Sequence, residues 1–150
     1  MEQKSDVSPL ILKDAIAIIN NDDEKSLHHS ITKLNQSGGI IYINTPIINI
    51  NKKSKLELSG INKGGIIGLK QSNNEYPIID FKNSRDKKEG KGIRAINITG
   101  SNKFIKYLII QNSSGNGIYI KGYNNILDHI ISRYNGNSGI QISRGADLNI

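Results

Sequence analysis

GIRAINITGSNKFIKYLIIQNSSGNGIYIKGYNNILDHIISRYNGNSGIQISR, residues 92–144, falls into register when slid against itself by 22 residues. Gly117 lands on Gly139, Ile118 on Ile140 and Ile120 on Ile142; one step earlier, Ile96 lands on Ile118 and Ile98 on Ile120. Gly100 meets Gly122 and Asn102 meets Asn124, while Leu108 and Ile130 share a column, as do Phe104, Ile126 and Leu148. The unit opens G-I-x-I-x-G-x-x-N, continues with aliphatic residues three apart, and closes on a polar turn of Asn, Ser and Gly. Ile-x-Ile is strand alternation, which puts both isoleucines on one face. Each unit is therefore two or three very short strands joined by turns, too little to fold alone, and it gains stability only by stacking on its neighbours. Stacked in parallel at roughly 4.7–4.9 Å, the columns bury nearly all their apolar area, at roughly 25 cal/mol per Å². A helical repeat would need a 3.6-residue period, which is absent after residue 40, and a leucine-rich repeat would need an L-x-x-L-x-L frame, also absent. The chain reads as all-β: a right-handed parallel β-helix, or β-solenoid, of about 22-residue coils with an N-terminal capping helix.

Upstream, IIGLK (66–70) matches AINIT (95–99) with a shift of 29, as if the polar RDKKEGK (85–91) were inserted into one coil. Before the repeats, residues 26–35 predict a helix: Leu27, Ile31 and Leu34 recur at helical spacing, Asp22-Asp23-Glu24 precede the first turn, and Ser37-Gly38-Gly39 stop it. Its apolar stripe would close the open end of the first coil. Residues 10–20 read equally as helix or strand. The expected organisation is an N-terminal segment with the capping helix, 1–36, followed by coils over 37–150, the last strand being cut at Ile150.

Composition agrees with short strands and tight turns: 30 Ile, 19 Asn and 15 Gly, with no Trp or Cys. The absence of cysteine removes disulfides and thiolate chemistry. The charge of +7 comes from 16 Lys and only 4 Arg spread along the chain, and aromatics are 5% of residues. Base readout leans on Arg and single-strand binding on interleaved aromatics, so no nucleic-acid partner is expected. Apolar runs such as 40–43 fall far short of the roughly 20 residues of a membrane helix, so no membrane partner is expected either. No leader with a basic, apolar and small-residue order is visible at the start; either the protein is not exported that way or its true N-terminus lies elsewhere.

GNGIYIKGYNN (115–125) and NSGIQISR (137–144), with SGGIIYI (37–43) as a first coil and YPIIDF (76–81) as a second-coil strand, resemble polysaccharide lyase family 9, the pectate-lyase-type β-helix proteins. Ile130 and Tyr134 depart from the family pattern, so a regular Asn ladder is not expected. The resemblance implies an extracellular enzyme, monomeric when complete, acting on an acidic, pectate-type polysaccharide by β-elimination. It implies a bound Ca²⁺ that neutralises the uronate carboxylate and a Lys that removes the C5 proton. In the family those groups lie in coils beyond Ile150, so no catalytic or metal residue is carried over. The alternative is a non-catalytic carbohydrate-binding or structural β-helix of a surface protein.

The acidic residues agree with that restraint. Glu57, Glu75, Asp80, Asp86, Glu89, Asp128 and Asp147 are isolated and read as solvated turn charges; no calcium cage or carboxylate pair is visible. Asp22-Asp23-Glu24 read as a helix-dipole run and His28-His29 as a solvated helix face. Asn35, Asn97 and Asn112 begin glycosylation sequons of the number chance supplies. Arg133 and Arg144 are the candidate substrate-binding residues: arginine is rare here, and its guanidinium pairs bidentately with carboxylates, of which a polyuronate carries one per sugar. Lys106 and Asp128 occupy equivalent positions one coil apart, placed to pair.

Overall fold

A computed structural model of the chain describes residues 12, 14–53, 55–84, 92–143 and 150. Among them, eleven strands and one α-helix follow in order: β1 (Ala15–Ile19), α1 (Glu24–Ser37), β2 (Gly39–Ile43), β3 (Ile47–Asn49), β4 (Leu56–Leu58), β5 (Gly64–Gly68), β6 (Ile78–Asp80), β7 (Ile96–Ile98), β8 (Lys103–Gln111), β9 (Ile118–Ile120), β10 (Ile126–Arg133) and β11 (Ile140–Ile142). One sheet runs β1-β2-β5-β8-β6-β3 with β10 also on β8; the other runs β11-β9-β7-β4. Every pairing is parallel. This is an all-β parallel β-helix with one helix.

The larger sheet is folded over a corner. The first half of β8 pairs with β5 and the second half with β6, while β10 follows β8 along its whole length. At the corner Tyr107 takes φ 59° and His129 φ 53°, and two further pairs share this conformation, Asn102 with Asn124 and Asn112 with Tyr134. The coils that carry β8 and β10 thus share three left-handed corners at the same places. A β-branched side chain is strongly disfavoured there, which is why the isoleucines occupy the sides and Asn or an aromatic the corners. Outside the middle corner the rings of Tyr76, Tyr107 and His129 lie in tilted contact, at 5.2 and 5.0 Å between centroids. Gly100 and Gly122 recur because a Cβ on Gly122 would come within 1.8 Å of the Gly100 carbonyl oxygen.

The downstream register agrees with the repeat: Ile96, Ile118 and Ile140 are opposite one another, as are Ile98, Ile120 and Ile142, Phe104 and Ile126, and Leu108 and Ile130. It fails upstream. Ile66 pairs with Ile105 and Leu58 with Ile98, so the shift of 29 matched apolar strings lying in different sheets. The step from Glu57 to its partner Asn97 one coil on is 40 residues. Ile67 to Ile78 covers eleven steps where Lys106 to Ile109 covers three, and Asp80 to Ile96 covers sixteen where Gln111 to Ile118 covers seven. RDKKEGK lies outside the described residues.

At the other end Ile150 N donates to Asn125 O at 2.8 Å and Leu127 N to Ile150 O at 2.6 Å, which puts Ile150 opposite Ile126; Leu148, expected in that column, lies outside the described residues. Burial of the columns also stops one rung early: Ile118 and Ile120 are buried, but Ile140 and Ile142 are 45% and 55% exposed, because β11 has a neighbouring strand on one side only among the described residues.

Helix α1 exceeds the expected 26–35 at both ends. Asp23 caps it by accepting from Ser26 N at 3.0 Å, and Gly38 ends it at φ 80° with its N–H on Leu34 O. Leu27, Ile31 and Leu34 are buried in the same core as Ile41, Leu56 and Ile66, and the helix packs on β1, β2, β4 and β5. Residues 15–19 resolve the ambiguity at 10–20 as strand β1, parallel to β2.

Polar side chains bind successive coils. Asn124 Nδ2 donates to Asn102 Oδ1 at 2.6 Å, Lys103 N to Asn125 Oδ1 at 2.9 Å, Ser113 N to Asn135 Oδ1 at 3.0 Å and Ser138 N to Asn116 Oδ1 at 3.1 Å. An Asn rung therefore exists at 102/124, where the repeat aligned the two residues, while Tyr134 interrupts the one at 112, so the ladder is not regular. Lys103 is buried. Its ammonium donates to the carbonyls of Gly60, Ser101 and Asn62, and burial lowers its pKa. Lys106 and Asp128 are opposite one another as expected, yet do not pair: Asp128 Oδ1 lies 2.6 Å from His129 Nδ1, and Lys106 turns over the Phe104 ring.

Candidate functional site

Strand alternation points every second side chain outward, and parallel pairing lines these up into columns. On the outer side of the smaller sheet the column is Glu57, Asn97, Tyr119 and Gln141. The Arg94 guanidinium sits 3.6 Å from the centre of the Tyr119 ring. Lys55 reaches Glu57 at 3.4 Å, and Asn116 Nδ2 donates to Gln141 Oε1 at 2.7 Å. Asn97 is buried; its Nδ2 donates to Glu57 Oε1 at 3.4 Å and its Oδ1 has no protein partner among the described residues. Arg94 was not legible from sequence, since nothing recurs with it at the coil spacing and the stack on Tyr119 forms only in three dimensions.

A second column runs along the far end of the folded sheet: Asn49, Asp80, Gln111 and Arg133 are successive partners, with Asp22 below Asn49. Asp22 accepts from Asn49 N and Nδ2, both at 2.7 Å. Asp80 accepts from Lys82 N at 2.8 Å, Gln111 Nε2 at 2.8 Å and Asn112 Nδ2 at 3.1 Å. Gln111 Oε1 accepts from Arg133 Nε at 2.9 Å. Arg133, a candidate from sequence, is thus half-buried and held by one edge, beside the Tyr134 ring at 5.3 Å. Arg144, the other candidate, lies outside the described residues, so nothing here brings the two together. The coil spacing places Gln111 one coil before Arg133, a signal the sequence did carry; Asp80 and Asn49 joined the column only through the true upstream register.

Asp80 corrects the expectation of solvated turn charges: it is 8% exposed and lies in a strand. The acidic run at 22–24 does more than face a helix dipole. Hydrogen bonds from the Ser26 N–H and hydroxyl hold the Asp23 carboxyl below its usual pKa. Burial works against the ionised form of Glu24, but the N–H groups of Asn51 and Lys52 and the His28 ring outweigh it, and its pKa is lowered. His28 is accordingly tied to Glu24 at 3.0 Å rather than simply solvated. The three sequon asparagines are engaged too: Asn35 on Glu57 O, Asn97 on Glu57, Asn112 on Asp80.

A calcium ion needs several clustered, free oxygen ligands. Among the described residues no three His, Cys, Asp or Glu side chains come together, and the carboxylates of Asp22, Asp80 and Glu24 each accept hydrogen bonds from their own surroundings. The described residues do not fit the metal. Also among the described residues, no helix is long and apolar enough to cross a membrane.

Over 81 residues the chain is 30% identical to pectate lyase L of Paenibacillus polymyxa (strain SC2), a stretch that is 54% of this chain and 17% of that protein. The chain therefore spans only a small part of the relative's length. No family model and no solved structure matches it. What the similarity defines is a pectate-lyase-like relationship over part of the chain.

Proposed function

We propose that these coils form the N-terminal part of an extracellular polysaccharide lyase, monomeric when complete, that cleaves an acidic, pectate-type polysaccharide by calcium-dependent β-elimination. The observation carrying this reading is the 30% identity to pectate lyase L over 81 residues. The net charge of +7 and the outward Arg94 and Arg133 are in keeping with a polyanionic substrate. In this reading the described coils bind and align the polymer, while the metal and the base belong elsewhere in the protein. A non-catalytic carbohydrate-binding or structural β-helix is the second reading, favoured by the engagement of the Asp80 and Glu24 carboxylates in hydrogen bonds within the chain.

The test is the ultraviolet absorbance of unsaturated uronate product from polygalacturonate, with calcium and with chelator, on this chain alone and in its full-length context. Elimination needs a base and a charge-neutralising cation together. The expected result is calcium-dependent product from the full-length protein and none from the chain alone. Product from the chain alone would mean that a site has been overlooked, and product from neither would favour the second reading.

A further inference from the structure

The polar column ends in a guanidinium fixed along one edge. Asp80, buried and held by Asn112 Nδ2 and the Lys82 N–H, claims the donor end of Gln111. An amide whose NH₂ is so engaged turns its oxygen the other way, and that oxygen takes Arg133 Nε. The two terminal nitrogens of Arg133 meet no protein partner among the described residues, and no carboxylate there lies within ion-pairing distance of it. The guanidinium lies over one face of the Tyr134 ring, 5.3 Å from its centre, and the ring, 70% exposed, keeps its other face open. A planar donor fork next to an open ring is the pairing that takes a sugar acid: the fork binds the carboxylate in bidentate fashion, and the ring packs on the apolar C–H face of the pyranose.

The geometry points to Arg133 and Tyr134 as a subsite for one uronate residue, with Gln111 as the positioning residue that aims the guanidinium and Asp80 as the anchor that aims Gln111. The inference rests on the acidic-polysaccharide reading above. Because it concerns binding, it can be tested apart from cleavage.

The experiment is an NMR titration of the whole chain with trigalacturonate and, separately, with its methyl ester. Losing a charge-assisted pair should weaken ester binding about tenfold relative to the acid. Arg133→Lys, which keeps the charge but has neither the fork nor an Nε to give Gln111, should cut that selectivity several-fold, and Arg133→Gln, which removes the charge, should abolish it. Tyr134→Ala should weaken both ligands alike. Gln111→Leu should cut acid selectivity several-fold in the parent chain and add nothing in the Arg133→Lys background; a merely structural residue would weaken both ligands in both backgrounds. Parent-like selectivity in Arg133→Lys, or no selectivity in the parent chain, overturns the subsite. Should the full-length protein form no unsaturated product while the selectivity still depends on Arg133, the lyase reading falls and the subsite stands.

Discussion

Between Lys103 and Asn125 the chain advances one coil in 22 residues, whereas between Glu57 and Asn97 one coil takes 40 residues. The sides of the two kinds of coil are nevertheless the same: Leu58, Ile98 and Ile120 stand in one column, each essentially buried. The extra length sits at corners: eight residues between β5 and β6, nine between β6 and β7, and one between β4 and β5. A corner projects into solvent and tolerates growth, because loop closure costs only about 0.6 kcal/mol for each doubling of length. A side cannot grow, since a single extra residue turns every inward isoleucine out. The fold is set by its sides and made irregular by its corners.

That contrast can be broken most severely at the column. If burial rather than coil length governs, Leu58→Ala and Ile120→Ala should each cost about 2–5 kcal/mol, the long coil no less than the short. Ile142→Ala, 55% exposed, should cost well under half as much. Chemical denaturation of the three variants measures this, and a small cost at Leu58 alone would mean that the long coil is loosely packed.

A smaller effect sharpens the boundary between the two kinds of coil, where Lys103 ties carbonyls of the long one, Gly60 and Asn62, to Ser101 of the short one. Burial lowers its pKa below the ordinary 10.5. In the window between the lowered value and 10.5 the unfolded chain binds more protons than the folded one, so stability from this group rises with pH there and is lowest below it. Lys103→Met should flatten that alkaline rise in melting temperature; an unchanged slope would assign it to another group.

The smallest change concerns the corners themselves. Tyr134 holds φ 57° where the preceding coil has Asn112. Tyr134→Asn should gain about 0.5–1 kcal/mol, since Asn accepts the left-handed region far better than a bulky aromatic residue. A lower melting temperature would show that the ring's contacts outweigh the backbone relief.

These cases also mark what the sequence could disclose. Ile96, Ile118 and Ile140 were legible because a constant period leaves each coil's mark on the next. The long coil hid its register, since IIGLK and AINIT are both short apolar strands and nothing in their composition says which sheet each joins. Arg133 stood out by its rarity, and its support by Gln111 was implicit in the spacing. Asp80 looked like a turn charge because its burial depends on the misread coil, and the Arg94 stack on Tyr119 leaves no periodic trace.

The left-handed corners also govern how such a chain can lengthen. Asn102, Tyr107 and Asn112 recur as Asn124, His129 and Tyr134, so a tandem duplication of one whole short coil, wherever its ends fall, restores all three bends in phase. A duplication that is not a whole number of such coils would put the bends out of phase with the residues that occupy them. In genetic terms the coil is a cassette: the gene can gain or lose whole turns by unequal exchange while the folded product remains sound, and the rod's length becomes something selection can adjust one turn at a time.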